Sequence, residues 1–294
     1  MTLMVGFVPG KDDRAGLELA AVLARSDGDD LRILTVAPAR WPTPVAGGTD
    51  REYAEWSRAF GEAAVAEATA LMEDIDPYIP VEATWVEGRS ASSVLLAQAE
   101  EIDARAVVVG SGQGGSYGQV YVSSTADVLL HSAAVPVAIA PRGYDAPRDA
   151  KITRATCAFR GDDQSRRTLD RTAEICARTG AALRVATFAV RGRTMYPPET
   201  GLRNEDMVMD AWIEQTNALQ AEALAALPQP RPADVEAVVA AGRTWQAAMD
   251  RLEWERGDLL VVGSSRTGLA ARLFLGSNAT KILRASPVPV IVVP

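Results

Sequence analysis

The sequence predicts an α/β protein made of two tandem, doubly wound domains, each with a five-stranded parallel sheet. Short runs rich in valine, isoleucine and leucine alternate with helical segments, a pattern typical of parallel strands buried on both faces. The pattern also repeats: Gly263 follows Gly110 by 153 residues (263 − 110), and Pro294 follows Pro141 by the same 153 (294 − 141). The chain is therefore predicted to be an internal duplication with a Rossmann-like fold in each half.

The boundary between the halves is predicted from a change in composition. Residues 141–148 read Pro-Arg-Gly-Tyr-Asp-Ala-Pro-Arg, which is typical of a linker. We therefore expect a first domain over residues 1–143 and a second over residues 150–294.

Composition narrows the class of protein. The 294 residues are 48% apolar, enough for two buried cores, and the formal net charge is −8. An acidic chain of this kind argues against a nucleic-acid partner. No apolar run is long enough to span a membrane, and the N-terminus enters an apolar strand without a signal-peptide pattern. We expect a cytoplasmic protein.

The elements of the first repeat follow from the spacing of its apolar residues. They are a strand at 3–8, a helix at 14–25, a strand at 31–36, a helix at about 50–74, a strand at 81–86, a helix from 90 to about 102, a strand at 106–109, a short helix from 124 and a strand at 135–140.

The second repeat is predicted to run in the same order. Its elements are a strand at 152–159, a helix at 164–178, a strand at 183–190, a helix at about 206–227, a strand at 235–240, a helix at 244–256, a strand at 258–262, a helix from 277 and a strand at 288–293. In such sheets ligands bind beyond the carboxyl ends of the strands, so the loops after the first and fourth strands of each repeat are expected to share a cleft.

Each fourth strand ends at a glycine, and a small-residue loop then leads to a helix. A helix N-terminus beside such a loop favours an anion, because free backbone N–H groups and the helix dipole point at it. The candidate ligand residues in the second repeat are Gly263, Ser264, Ser265, Arg266, Gly268, Gly276, Ser277 and Asn278. Those in the first are Gly110, Ser111, Gly112, Ser123 and Ser124.

These residues carry a family resemblance. The strand and helix order, the Leu275-Gly276-Ser277 helix start and the final Ser-Pro-Val-Pro-Val-Ile-Val-Val-Pro run resemble the universal stress proteins in their tandem form. The resemblance covers essentially the whole chain. It implies an adenine nucleotide α hydrolase-like fold, stress adaptation without catalysis, and in some members bound ATP (with Mg). It also implies that the last strands of two domains, otherwise exposed edges, meet around a pseudo-twofold axis. We thus expect an intramolecular pseudo-dimer that is able to form a homodimer.

The family's ATP-binding pattern is broken in both repeats. It has a second glycine separated from the first by two residues, where this chain has Arg266 and Gln113, and Ser123 stands at the third glycine position of the first repeat. An Asp expected after the first strand is replaced by Val8 and Arg160. A side chain in place of glycine occupies the space that a phosphate needs, and losing the Asp removes a hydrogen-bond acceptor.

One further family position concerns the adenine. The valine that meets the base survives as Val36, whereas the second repeat has Phe188. We predict that the second repeat is the better candidate site, with Arg160 and Arg266 either filling it or clamping a small anion.

Three hypotheses on function remain open. The first is a sensor that binds ATP or another adenine nucleotide, the second a ligand-independent adaptor for an unidentified protein partner, and the third a slow nucleotide hydrolase. We expect that the protein is not an enzyme, because the chain has no Ser/His/Asp set and no Walker loop.

The remaining polar and aromatic candidates are expected to have structural roles. Asp12, Asp13, Asp162 and Asp163 are predicted to cap helices, and the Ser123-Ser124-Thr125 run to be an N-cap cluster or a phosphorylation site. Cys157 and Cys176 are expected to be buried thiols without a metal, and His131 to lie on a helix surface. Trp212, Trp245 and Trp254 are expected to be packing residues.

Overall fold

The computed structural model of the protein describes residues 1–10, 14–39, 48–190, 202–266 and 273–294. The predicted caps Asp12 and Asp13 and the candidate ligand residue Gly268 lie outside these residues. The chain divides into two compact units. Unit 1 comprises residues 1–151 with 266–274 and 294, and unit 2 comprises residues 152–265 with 275–293.

The described part of residues 1–151 in unit 1 contains nine elements that match the predicted order. They are β1 (Thr2–Gly6), α1 (Arg14–Asp27), β2 (Asp30–Pro38), α2 (Gly48–Ile75), β3 (Val81–Gly88), α3 (Ala91–Glu101), β4 (Ala106–Gly110), α4 (Ser124–Ser132) and β5 (Val137–Ala140). The strands are parallel and lie in the order β3-β2-β1-β4-β5. This order reverses between β1 and β4, which places a cleft beyond their carboxyl ends.

Unit 2 repeats the arrangement. Its elements are β6 (Arg154–Ala158), α5 (Asp163–Thr179), β7 (Ala182–Val190), α6 (Leu202–Ala225), β8 (Val235–Gly242), α7 (Trp245–Met249), β9 (Asp258–Gly263), α8 (Ser277–Ala285) and β12 (Val290–Val293). Two short strands, β10 (Ser265–Arg266) and β11 (Leu273–Phe274), come between β9 and α8 in the chain and were not predicted. The five parallel strands of unit 2 lie in the order β8-β7-β6-β9-β12. The predicted α/β class is confirmed.

Each unit contains the same hydrogen bond at an equivalent position. The Thr35 hydroxyl donates to the Phe7 carbonyl at 3.0 Å, and the Thr187 hydroxyl donates to the Phe159 carbonyl at 2.9 Å. These pairs are 152 residues apart (187 − 35), one fewer than the interval between Gly110 and Gly263. A single interval therefore holds for the landmarks near the end of each repeat but not for the whole of it.

Helix α7 is much shorter than predicted. The apolar spacing indicated a helix at 244–256, but α7 ends at Met249. Beyond it, the Glu253 carbonyl accepts hydrogen bonds from Arg154 at 2.8 Å and Arg184 at 3.3 Å, and the Met249 carbonyl accepts one from the Trp254 indole at 2.9 Å. These tertiary bonds replace the helical ones, and helical spacing gave no sign of them.

The predicted linker is bound to unit 1. Arg25 donates to the carbonyls of Ala150 and Pro147, the latter at 3.3 Å, and also pairs with Asp76 at 2.9 Å. The composition of residues 141–148 therefore identified an irregular segment, but one with fixed hydrogen bonds.

Candidate functional site

The larger of the two clefts described below lies in unit 2, at the carboxyl ends of β6 and β9. It is a cavity of about 390 Å³. Its lining combines aromatic, hydroxyl and carboxamide side chains with three glycines. The lining residues that bear on ligand binding are Arg160, Asp162, Gln164, Thr168, Phe188, Trp212, Gln215, Trp245, Gly263, Gly276 and Asn278. All of these described residues belong to unit 2.

The two charged residues among the described lining residues neutralise each other. Arg160 pairs with the Asp162 carboxylate, its Nε lying 2.8 Å from Oδ2. The other oxygen of Asp162 accepts the Ser165 N–H at 2.8 Å and caps α5, as predicted. Burial raises the pKa of Asp162, but the Ser165 hydrogen bonds and the Arg160 guanidinium outweigh burial and hold the pKa below its ordinary value. The expectation that Arg160 fills the cavity is wrong, because this guanidinium is two-thirds exposed and bound to its own loop.

Gly263 packs closely against side chains of α5, which leave no room for a Cβ. A Cβ built on it would lie 2.2 Å from the Thr168 Oγ1 and 3.5 Å from the Gln164 Nε2. Gln164 reaches across the cleft and donates to the Ser264 carbonyl. Two side chains of α5 thus cover the face of Gly263 that the sequence pattern offered to a phosphate.

The N-terminus of α8 has no side-chain cap among the described residues. Gly276 is its N-cap residue. No described atom lies within 4 Å of a Cβ built on Gly276. The first turn of α8 contains no acidic residue. The N–H groups of residues 277–279 have no intrahelical partner by geometry, so this end of the cavity favours an anion.

Aromatic rings form another wall of the cavity. The rings of Phe188 and Trp245 lie 6.5 Å apart between centroids and are tilted by 48°. Trp212, on α6, is 38% exposed. Trp212 and Trp245, which were expected to be packing residues, also line the cavity. Trp254 does pack, with the Arg184 guanidinium 4.7 Å from its ring centroid.

Unit 1 has a smaller cleft of about 290 Å³. Its described lining residues are uncharged; they are Gly6, Phe7, Val8, Leu34, Val36, Ala91, Leu95, Val109, Gly110, Ser111, Gly112, Gln113, Ser123, Ser124 and Thr125. All the ligand residues predicted in the first repeat therefore line one cleft.

The helix end in this cleft is already occupied. The Ser123 hydroxyl accepts the Ala126 N–H at 3.1 Å and caps α4. Asp127 adds a negative charge in the first turn. Ser111 is also engaged, since its hydroxyl donates to the Ala140 carbonyl at 2.7 Å. A further anion would have to displace Ser123 and approach a carboxylate.

The glycines of the first loop surround a tyrosine. A Cβ on Gly112, Gly114 or Gly115 would lie 2.6 to 2.9 Å from Tyr121 atoms. The Gly112 N–H donates to the Tyr121 carbonyl at 2.9 Å, and Arg142 donates to the Gly115 carbonyl at 2.7 Å. Ring packing and hydrogen bonds therefore hold this loop in place.

The other predicted ligand residues are spread around the second loop. Ser264 is 1% exposed, and both its N–H and its hydroxyl donate to the Val293 carbonyl, at 2.8 and 3.3 Å. Ser277 is exposed at the start of α8. Ser265 and Arg266 form β10, and their side chains lie outside the description. The prediction that Arg266 fills the cavity or clamps a small anion together with Arg160 therefore stays a prediction.

Sequence reasoning missed Gln164, Thr168 and Gln215 as cavity residues. Gln164 and Thr168 belong to the first turns of a helix that was predicted, yet their contact with Gly263 joins positions about a hundred residues apart. No local pattern reports such a contact.

The two cysteines and His131 lie outside both clefts. Both cysteines are free and buried, and burial raises the pKa of each to about 12. His131 lies on α4 as expected, with its Nδ1 2.7 Å from the Asp127 carbonyl oxygen. Among the described residues, no group of three or more His, Cys, Asp or Glu side chains is placed to hold a metal ion.

None of the described helices is long and apolar enough to cross a bilayer.

Comparisons with known proteins agree with this architecture. A model of the universal stress protein family matches residues 1–141 and again residues 151–294. A universal stress protein of Mycobacterium tuberculosis (strain H37Rv) and one of Mycobacterium bovis are each 40% identical to this chain over 294 residues, which is 100% of both chains in each case. The crystal structure of a universal stress protein from Archaeoglobus fulgidus matches with a TM-score of 0.64 at 16% identity, covering 99% of this chain and 97% of that one. The chain belongs to the universal stress protein family and carries two of its domains in tandem.

Proposed function

We propose that this universal stress protein serves stress adaptation by binding a small ligand in the cavity of unit 2, and not by catalysis. The observation that carries the proposal is the difference between the two helix ends. In unit 1 Ser123 caps α4, whereas in unit 2 Gly276 leaves α8 open toward the larger cavity. An open helix end beside an aromatic wall suits a ligand with a ring and an anionic group.

An adenine nucleotide fits these features in part. Its base would find the rings of Phe188, Trp212 and Trp245, and its phosphate the N-terminus of α8. Magnesium fits less well. Asp162 is the one carboxylate among the described lining residues, and it is already engaged by Arg160 and by the cap of α5. The support for a nucleotide therefore concerns its base and one phosphate, and does not extend to a metal-bound triphosphate.

The proposal that the protein does not catalyse rests on the chemistry of the lining. A general base needs a free lone pair within reach of the substrate and a suitable pKa. Both oxygens of Asp162 already accept hydrogen bonds, from Arg160 and from Ser165, and its lowered pKa makes it a weaker base. The slow-hydrolase hypothesis thus finds no general base among the described lining residues.

The adaptor hypothesis is a second candidate, and one observation favours it. On α2, Tyr53, Trp56 and Phe60 form a row with successive ring centroids 5.4 and 5.8 Å apart, and Trp56 is 51% exposed. Exposed aromatic side chains of this kind are common at protein interfaces.

The experiment that tests the proposal is calorimetric titration of the full chain with AMP, ATP and cyclic AMP, beside a Gly276→Asp variant. A carboxylate at the N-cap would occupy the helix end and repel an anion, so binding by the wild type should be lost in the variant. The matched control is Ser123→Asp in unit 1, which should leave binding unchanged. Loss of binding in the control but not in Gly276→Asp would contradict the assignment to unit 2.

A further inference from the structure

We propose that β8, the outer strand of unit 2, pairs antiparallel with β8 of a second copy of this chain and so forms a reversible dimer. Within unit 2, β8 lies at the opposite end of the strand order from β12. The described lining of the ligand cavity includes no residue of β8, so this surface is separate from the one on which the proposed function depends.

One side of β8 has backbone groups that no described residue satisfies. The strand is in register with β7, with Leu183 opposite Val235 and Val190 opposite Gly242. The Leu183 N–H donates to the Asp234 carbonyl at 2.9 Å, which means that the even-numbered residues of β8 bond to β7. The odd-numbered residues direct their N–H and C=O groups away from β7, and no hydrogen bond from the described part of the chain reaches them; they are Val235, Ala237, Val239 and Ala241.

Both faces of β8 are covered within unit 2. The Gln220 amide of α6 donates to the Thr187 hydroxyl at 3.0 Å, and Thr187 is in register with Val239, so α6 covers the face of the odd-numbered side chains. On the other face, a Cβ built on Gly242 would lie 2.4 Å from the Ala248 nitrogen of α7. A partner can therefore approach β8 along its edge.

The sequence of β8 lacks the features that usually protect an exposed sheet edge. Such edges carry lysine, proline, a bulge or several charges, which keep other strands away. Glu236 is the one charged residue of β8, and the ladder with β7 runs without a bulge from Val235 to Gly242. Val235 is 40% exposed. An edge made of valine and alanine accepts a further strand.

The charges at the two ends of β8 favour a second copy as the partner. Asp234 precedes the strand and Arg243 follows it; both are exposed, and neither forms an ion pair with a described residue. Antiparallel pairing centred on Val238 places Asp234 of each copy beside Arg243 of the other. In the same register Glu236 lies opposite Ala240, so no like charges face each other. Twofold symmetry thus supplies a counter-ion at both ends of the strand.

The outer strand of unit 1 lacks this complementarity. The Leu31 N–H donates to the Pro80 carbonyl at 2.9 Å, so Pro80 occupies the place that Asp234 has in unit 2. Strand β3 also contains two glutamates, Glu82 and Glu87, where β8 contains one. Pairing of two β3 strands would bring twice as many carboxylates together without the terminal ion pairs. We therefore assign the contact to β8.

The dimer is expected to be weak. Each outward-facing residue of β8 would exchange two hydrogen bonds with its opposite number in the second copy. A seam one strand long is nevertheless smaller than the interface of a permanent dimer. We expect a dissociation constant of about 10–100 µM.

The test is sedimentation of the full chain at concentrations from about 5 to 500 µM. Ala237→Pro removes one outward N–H and leaves the ladder with β7 intact, so it should weaken the dimer at least about tenfold. The matched control is Ala83→Pro, at the equivalent outward position of β3, which should leave the dimer unchanged. Ala237→Lys places like charges across the seam and should also weaken it. Thermal melts check that each variant is folded.

Two results would overturn the inference. One is a wild type that stays monomeric over the whole range, and the other is a dimer that both Ala237 variants leave intact. Neither result bears on ligand binding in the cleft, so the proposed function is tested separately.

A cross-link tests the register. Centring the pairing on Val238 places this residue opposite its own copy, with Cα atoms about 4.5 Å apart, a distance that a disulfide can span. The native cysteines are buried. Val238→Cys treated with oxidised glutathione should therefore give a covalent dimer, whereas Thr84→Cys at the equivalent position of β3 should not. No covalent dimer from Val238→Cys, or one from Thr84→Cys alone, would contradict the pairing.

Discussion

Units 1 and 2 place the same strands in the same order, but they end their clefts differently. In unit 1 the helix beyond the glycine loop is capped by Ser123 and followed by Asp127, and the described residues that line the cleft are uncharged. In unit 2 the corresponding helix starts at Gly276 with no side-chain cap among the described residues, and the cleft is larger and aromatic. The duplicated frame thus caps the helix with a serine hydroxyl in one copy and has no described side-chain cap in the other.

The glycines of the two loops add a second contrast. Gly112, Gly114 and Gly115 of unit 1 make room for the Tyr121 ring, and Gly263 in unit 2 makes room for the Thr168 hydroxyl. At Gly276, by contrast, no described atom lies within 4 Å of a built Cβ. Glycine spacing therefore marks close packing as readily as it marks a phosphate site, and the surrounding atoms decide between the two.

The largest expected difference between the units is the loss of stability when the carboxylate that pairs with Arg184 on β7, or with Arg32 on β2, is removed. Asp258, buried in unit 2, pairs with Arg154 at 2.6 Å and lies 3.6 Å from Arg184, whose side chain is 3% exposed. Asp258→Ala leaves a buried guanidinium without its counter-ion and should destabilise the protein by about 3–5 kcal/mol. The matched change in unit 1, Glu82→Ala, breaks an exposed pair with Arg32 and should cost about 1 kcal/mol or less. Chemical denaturation measures both, and equal losses would contradict the distinction.

A second expected difference lies between two glycines of unit 2. Gly263→Ala forces a methyl group against the Thr168 Oγ1, which should cost about 1–3 kcal/mol. Gly276→Ala places its methyl group in open space and should cost less than about 1 kcal/mol. Adding Thr168→Ala to Gly263→Ala should restore part of the loss. If the double variant is no more stable than the single one, Thr168 is not the cause.

The helix ends supply a third prediction. Ser123→Ala removes the cap of α4 and should lower the free energy of unfolding by about 1 kcal/mol. Gly276→Ser gives α8 a cap like that of α4, so stability should rise by a few tenths of a kcal/mol while ligand affinity falls. Thermal melts and titration of the same samples measure the two effects. A rise in stability with unchanged affinity would separate the helix end from the ligand site.

The smallest expected effects concern pH and have opposite signs in the two units. The folded pKa of Asp162 lies below its ordinary value of 3.8, so ionised Asp162 stabilises the protein above pH 3.8, and this contribution is lost as the pH falls through the folded pKa. Burial raises the pKa of Glu18 above its ordinary 4.5 despite the hydrogen bond from Arg14, so its contribution is favourable below pH 4.5 and is lost as the pH rises through the folded pKa.

At pH 7, therefore, Asp162→Asn should lower the melting temperature and Glu18→Gln should raise it, each by the equivalent of less than about 1 kcal/mol. Melts between pH 7 and pH 3 should show both differences closing as the pH falls. A difference that is independent of pH would mean that the substitution acts through packing.

Much of the frame could be predicted because its signals are local. Apolar runs gave the strands, and the side chains of Asp162, Ser90 and Thr244 stand at the N-caps where their residue types are expected. The end of α7 could not be predicted, since the Glu253 carbonyl is bonded to Arg154 and Arg184 from other strands.

The site was predicted less fully, for the same reason. The helix end at Gly276 and the cleft residue Gly110 follow from strand order and glycine position, and Val36 follows from the family resemblance. The pairing of Arg160 with Asp162 and the contact of Thr168 with Gly263 depend on side-chain directions and on contacts between distant parts of the chain. Neither contact is a property of any short segment.

The most direct test of the central claim is a backbone amide NMR spectrum of the labelled full chain, recorded during a titration with AMP. Binding at the open helix end of unit 2 predicts that the amide resonances of Asn278 and Ala279 move with increasing ligand, while those of Thr125 and Ala126 at the start of α4 stay in place. Movement confined to Thr125 and Ala126, or none at either helix, would contradict the assignment of the ligand site to unit 2.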